Sequence, residues 1–335
     1  MYEGSNPVKM FEGRRIGIIG IGGGGDIASA YVLCMVFKDF FKVDLCLPIA
    51  VLWERWVVDP VAGPPSKSLI RNATIRECAY ITDKSYVSRG FYTYKPQAAV
   101  LASLTNNVIP SITLEYGVEG YVRCLNELAS DYSLDCFIGL DVGGDILAEG
   151  WEDGLGSPLT DAMGLAALSN FKSFIAVLAP GADGELPQEY VLSKISELAK
   201  RGGYIGSIGL WTNYLRRMEE VTSKVETEAG RIPVIALKGF DGIYSIRSGL
   251  RKVRVNIVST ILFLLNTNTL YKSSKLALSL TSTKNLAEAI KKAEELSVVT
   301  EFHTELRKMM LTLANKAYKP QQSSRILGGQ SSGVG

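Results

Sequence analysis

Two hydrophobic rhythms alternate along the chain. Short, nearly unbroken apolar runs rich in Val, Ile and Leu fall at 15–21, 43–53, 136–140, 174–178, 204–208 and 252–257. Between them lie stretches with helical spacing of apolar residues, at 27–41, 118–130, 158–170, 188–201, 213–225, 259–266 and 285–297. The first kind predicts strands covered on both faces, because a strand with one face in water alternates apolar with polar residues. The second kind predicts helices. Strands and helices in near alternation predict a mainly parallel sheet between two helical layers. The expected fold is therefore a three-layer, doubly wound, Rossmann-like α/β domain.

Local signals sharpen some boundaries. Ser157-Pro158 offers an N-cap followed by a proline in the first turn. Arg201-Gly202-Gly203 offers a cationic last turn and a glycine stop. The segment "EAGRIPVIALKGF" stays open between helix and strand, since Pro233 interrupts it. Residues 54–115 break the rhythm with Pro64, Pro65 and strand-like pieces such as "ECAYIT" and "GFYTYK". They are expected to form an irregular insertion, a lid or a partner surface. Residues 1–318 then form one domain, and 319–335 have the composition of a flexible tail.

Composition narrows the class. Apolar residues make up 47% and charged residues 21%, as in a soluble globular protein. A net charge of +2 and the lack of a basic run argue against nucleic acid as a partner. The first 15 residues carry no signal-peptide pattern. The longest uncharged stretch, 255–271, is too short and ends too polar ("NTNT") for a membrane span, and reads as a buried helix. Cysteines at 34, 46, 78, 124 and 136 form no CxxC pair. They predict small core residues in a reducing cytoplasm, not a disulfide framework or a zinc site. The single histidine, His303, lies in an amphipathic C-terminal stretch, so acid–base chemistry falls to other residue types.

One turn occurs twice. "IIGIGGGGDIA" (18–28) and "FIGLDVGGDIL" (137–147) share six of eleven positions, including Gly24/Gly143, Gly25/Gly144 and Asp26/Asp145. Each joins a strand to Gly-Gly-Asp and an apolar residue. At the carboxyl end of a parallel strand, such glycines permit positive φ and leave room for a ligand. The N–H groups of Gly22, Gly23, Gly24, Gly25, Gly143 and Gly144 are expected to cradle an oxygen-rich group. The first turn also fits G-x-G-x-x-G, so a nucleotide or dinucleotide is compatible with it. The acid expected at the end of the second strand is misplaced, however: Glu54 comes 29 residues after Gly25. Asp26 and Asp145 each suit two roles. Each would cap a helix, or both would face one cleft and bind a divalent cation or substrate hydroxyls.

More acids gather at strand ends: Asp141 in "LDVGGD", Asp183 and Glu185 in "PGADGEL", Glu152 and Asp153 in "WEDG", and Glu54 after the second strand. Arg247 and Arg251, four apart, are candidates to hold an anion. An acidic, glycine-lined cleft with Mg²⁺ at Asp26, Asp141 and Asp145 is expected. Glu54 or Asp183 would act as base.

Taken in order, "GIGGGGD", "ERWVVDPVAGP", "LDVGGDIL", "SPLTDA", "APGADGEL" and "TEAG...LKG...IRSGLRKV" resemble a family of uncharacterised, mostly archaeal proteins, a domain of unknown function. The resemblance runs from Arg15 to Ile257. It implies a Rossmann-like fold and brings no reaction with it. Gly230 and Pro233 depart from the family pattern. The "IGLDVGGDI" turn alone also resembles a glycine-rich turn of D-glutamate cyclases.

The resulting expectation is a cytoplasmic enzyme acting on a small polar metabolite, such as a phosphate ester or nucleotide, by Mg²⁺-dependent transferase or lyase chemistry. No membrane or nucleic-acid partner is expected, and the chain should self-associate as a homo-oligomer. The alternative is a ligand-binding or self-assembling structural protein without catalysis. A nicotinamide enzyme ranks third.

Overall fold

All seven residues of Cys136–Val142 are buried, as are five of six in Arg15–Gly20. That is the burial of strands lying between two helical layers. The structure, a computed structural model, describes residues 7–317. The sequence expectation for the tail at 319–335 lies outside the described residues.

From the amino end run α1 (Pro7–Phe11), β1 (Arg15–Gly20), α2 (Ile27–Phe41) and β2 (Leu45–Val51). The insertion contributes β3 (Ile70–Arg71), β4 (Thr74–Ile75), β5 (Ala79–Ile81), β6 (Tyr86–Arg89), β7 (Tyr92–Tyr94), α3 (Gln97–Thr105) and β8 (Ile109–Ile112). Next come α4 (Gly117–Asp131), β9 (Cys136–Val142), α5 (Pro158–Leu168), β10 (Ser173–Leu178), α6 (Gln188–Lys200), β11 (Tyr204–Gly209), α7 (Leu215–Lys224) and α8 (Ile232–Leu237). A hairpin of β12 (Gly242–Ile246) and β13 (Arg251–Val255) precedes β14 (Ile261–Asn266). Helices α9 (Thr267–Ser273), α10 (Lys275–Leu280), α11 (Leu286–Glu295) and α12 (Glu301–Ala317) follow.

The central sheet has nine strands in the order β11-β14-β10-β9-β1-β2-β8-β5-β4. The block β10-β9-β1-β2-β8 is parallel. From β1 the chain moves outward through β2 and β8, then returns to β9 on the other side of β1 and moves outward again. The winding direction therefore reverses between β1 and β9. In open α/β sheets, ligands gather outside the carboxyl ends of the strands at such a reversal. Side chains alternate across β1: Ile16 and Ile18 enter a core with α2, α3 and α7, while Ile19 and Ile21 enter a second core with α4, α5 and α6. This is the expected three-layer α/β fold.

Four expectations need correction. Residues 259–266 form no helix: a 3-10 turn over Ile257–Thr260 leads into β14, which lies antiparallel between β10 and β11. The run "ILFLLN" fits either structure by periodicity, and the gap between β10 and β11 decides. The reading of 255–271 as one buried helix fails with it. The run at 252–257 becomes β13, outside the central sheet, because its charged residues require one face toward water. The insertion is partly regular: β8, β5 and β4 extend the central sheet, and β3, β6 and β7 form a small sheet of their own. Finally, Cys34 pairs with Cys46 and Cys78 with Cys124 in disulfides, with Cα separations of 5.2 and 4.8 Å. Cys136 alone is free. Cysteine spacing carries no pairing information here, since the bridges follow from which elements pack together, α2 on β2 for the first and the insertion on α4 for the second. The cysteines thus give no argument for a reducing compartment.

The ambiguous 228–240 segment contains α8, with Pro233 in its first turn, where a missing N–H costs no intrahelical bond. Among the described residues no helix is long and apolar enough to cross a membrane.

Candidate functional site

The parallel register of β1 and β9 sets the two Gly-Gly-Asp turns side by side at the reversal point. Neither aspartate caps a helix through its side chain. Asp26, partly exposed, turns back to accept from Gly22 N (3.3 Å). Asp145 turns inward toward Asp141 and Asp161, with the Ser157 hydroxyl 3.2 Å from its Oδ2. The capping role is therefore set aside for both.

The glycines make room for acids of the protein itself. A Cβ at Gly24 would fall onto the Glu54 carboxylate, and one at Gly143 onto that of Asp183. A Cβ at Gly22 would lie 2.8 Å from Asp26 Oδ2 and 3.5 Å from Asp161 Oδ1. The cradle of N–H groups expected for a ligand is largely engaged. Gly22 N serves Asp26, Gly24 N donates to Trp53 O (2.9 Å), Gly143 N to Leu178 O (3.0 Å), and Gly144 N to Asp141 Oδ1 (3.2 Å). Backbone donors in tight turns find partners within the fold before any ligand arrives.

Asp141, Asp145 and Asp161 converge. Each is buried, and each offers an oxygen within 4.8 Å of the other two. Asp141 also holds its own loop through Gly144 N and Ile146 N (3.2 and 3.0 Å). Asp161, fully buried on α5, has no hydrogen-bond partner for either carboxylate oxygen. Loss of hydration pushes Asp145 and Asp161 well above the usual carboxylate range, with added repulsion from Asp161 on Asp145 and from Asp141 on Asp161. Asp141, also desolvated, rises to about 6, held down by its two backbone donors. Asp183 rises to about 8, through burial and then Glu185; its Oδ1 accepts from Glu185 N (2.8 Å). Asp26 is raised by loss of hydration and then by Asp141. Five aspartates thus share one electrostatic environment, and among the described residues none of them is in an ion pair with Lys or Arg.

Glu54 belongs elsewhere. Its Oε1 accepts from Gln97 N (2.9 Å), Oε2 is buried without a partner, and burial raises it to about 8. The nearest acid acting on it is Asp59, not an aspartate of the cluster. Gly24 stands against it, so Glu54 fills the back of the glycine loop.

Arg247 and Arg251 reach the site through Glu185, at 3.1 and 3.6 Å from the same Oε1. Glu185 also accepts from Gly156 N and Ser157 N. Glu152 instead binds Gly150 N and Tyr190 as part of a surface turn. Ser157 precedes α5 without capping it; the N–H groups of Leu159 and Thr160 donate to Glu301 on α12 (3.0 and 2.8 Å).

Sequence reasoning missed Asp161. Its signal was an acid inside "PLTDAMGLAAL", where every other residue is uncharged and every residue proves buried. It missed Glu301 and Glu305 as well, four apart on α12; Glu305 accepts from Trp53 Nε1 and Gly63 N.

A three-layer α/β fold with a buried aspartate cluster at its reversal point defines the class of this protein. Residues 18–309 match the family model described as a protein of unknown function (DUF1152), and the chain belongs to that family. This agrees with the resemblance drawn from its motifs to a domain of unknown function. No curated protein and no solved structure matches the chain.

Proposed function

We propose that Asp141, Asp145 and Asp161 bind one divalent cation, and that the protein is a metal-dependent enzyme acting on a small, oxygen-rich metabolite at this edge of the sheet. The observation that carries the reading is Asp161: a fully buried carboxylate whose two oxygens have no partner. A buried charge left unpaired is costly, and buried charges are normally paired or coordinate metals. Two like charges at 4 Å repel by about 4 kcal/mol near a protein surface. A divalent cation removes that repulsion for three carboxylates at once.

All-carboxylate ligation suits Mg²⁺, Mn²⁺ or Ca²⁺.

In this reading Asp26, the partly exposed member of the group, would face the metabolite, and Asp183 would exchange a proton with it. The cation would stabilise negative charge on the metabolite during transfer or elimination, and phosphate esters and nucleotides are the class that suits such a site.

A thermal-unfolding screen tests this. Mg²⁺, Mn²⁺ and Ca²⁺ are added alone and with nucleotides, sugar phosphates or amino acids. A cation at a hundredfold excess over its Kd stabilises the fold by about 2.7 kcal/mol. The wild type is expected to show that rise, Asp161→Asn to lose it while still folding, and a metabolite to add a further rise only with metal. Equal responses to cations in wild type and Asp161→Asn would overturn the reading.

A further inference from the structure

A chain of ion pairs leads outward from the aspartate cluster. The Ser157 hydroxyl lies 3.2 Å from Asp145 Oδ2 and 2.7 Å from Glu185 Oε1. That Glu185 oxygen faces both Arg247 and Arg251. Glu228 carries the chain further: its Oε1 accepts from Arg247 N (2.9 Å) and its Oε2 from Arg55 Nη2 (2.7 Å). Lys308 on α12 belongs to the same neighbourhood. Loss of hydration, then the charge of Arg247, with further repulsion from Arg55 and Arg251, holds its ammonium below the usual range. Three cations, from the loop after β2 and the β12–β13 hairpin, thus gather beside the candidate cation site, and Lys308 on α12 feels their charge.

Their donors are not all met. Arg55 Nη1 and Arg251 Nη1 are buried without a hydrogen-bond partner, and their nearest carboxylate oxygens stand 3.5 and 3.6 Å away. Buried guanidinium N–H groups ordinarily have acceptors. Glu185 has little more to give, since it already accepts from two backbone N–H groups and the Ser157 hydroxyl. The backbone here is strained as well. Arg247 and Ser248 both lie in the left-handed region (φ 52° and 54°), followed by Gly249 at 87°. Two consecutive non-glycine residues in that region are strained, and such strain concentrates at ligand clamps.

We propose that this rim binds a phosphate group of the metabolite, as a phosphomonoester or diphosphate. The proposal deepens the metal reading by naming the charged end of the substrate. A single carboxylate brings one negative charge and two oxygens in one plane. A phosphate brings a charge near −2 and three oxygens in tetrahedral array. That supplies acceptors for the free Nη1 groups of Arg55 and Arg251 and a counter-charge for Lys308, with an oxygen remaining for the cation. Guanidinium groups recognise phosphate in this manner.

The test is calorimetric titration of the full chain with inorganic pyrophosphate, inorganic phosphate and citrate, each with and without Mg²⁺. Pyrophosphate or phosphate is expected to bind more tightly than citrate. Arg251→Gln and Lys308→Gln should each weaken that binding at least tenfold while keeping the wild-type thermal response to Mn²⁺, which certifies their fold and the cation site. A protein that answers to Mn²⁺ but ignores both phosphates would overturn the inference and leave the metal reading in place. Preference for citrate, or unchanged phosphate affinity in both variants, would also overturn it. Phosphate binding that depends on Arg251 in a protein that ignores Mn²⁺ would support the rim and sink the metal reading.

Discussion

Gly24 and Gly143 have no room for a side chain because carboxylates of the same chain fill the space beside them. Glycine is thus required in two turns that look built for phosphate because acids of the same chain stand against them. Gly24→Ala would push a methyl group into Glu54, and overpacking of this kind typically costs about 1–3 kcal/mol. Urea unfolding of that variant should show the loss, and a second change, Glu54→Ala, should recover part of it. Glu54 also predicts a pH dependence. Its folded value of about 8 lies above its ordinary 4.5, so the folded state holds the proton more tightly than the unfolded chain. Its contribution is complete below the ordinary value and is lost as pH rises through about 8. Glu54→Gln keeps an acceptor for Gln97 N and cannot ionise. Its melting temperature should fall less between pH 6 and pH 9 than that of the wild type. At this scale Asp26, Asp141, Asp145 and Asp183 were legible from the turns that carry them. Asp161 was not, since an acid in an apolar helix announces itself only once the neighbouring strand ends are in place.

The elements show where periodicity suffices and where it fails. Helix α2 occupies the residues its pattern predicts, and the parallel strands β1, β2, β9 and β10 fall within a few residues of theirs. Strand β14 does not, because five consecutive apolar residues without a turn signal fit a buried helix or a buried strand alike. The pairings of Cys34 with Cys46 and of Cys78 with Cys124 were equally illegible, as spatial adjacency decides them. They are checked by thiol titration in denaturant: one thiol, that of Cys136, should react before reduction and five after it. The bridges span 12 and 46 residues of sequence. Loop-closure entropy then predicts that losing the first costs about 3 kcal/mol and losing the second about 4 kcal/mol. Helix α12 shows how an element far along the chain serves the site. Glu301 accepts the first free N–H groups of α5, a favourable place for a carboxylate, and so steadies the helix that carries Asp161.

For the whole molecule, the reversal of winding between β1 and β9 is what gathers the aspartates. The recurrence of one turn 119 residues on made that meeting legible before any fold was known, because parallel neighbours present their carboxyl ends on one edge. The basic rim was only half legible: Arg247 and Arg251 stood out by spacing, whereas Arg55 and Lys308 join them through the fold. The central claim is that the buried aspartates hold a divalent cation. Its most direct test is equilibrium dialysis against Mn²⁺ with the bound ion counted per chain. The account predicts one Mn²⁺ per chain in the wild type, displaced by excess Mg²⁺ or Ca²⁺ and absent in a folded Asp161→Asn variant. Wild-type protein that retains no Mn²⁺, or a variant that retains as much, would contradict it.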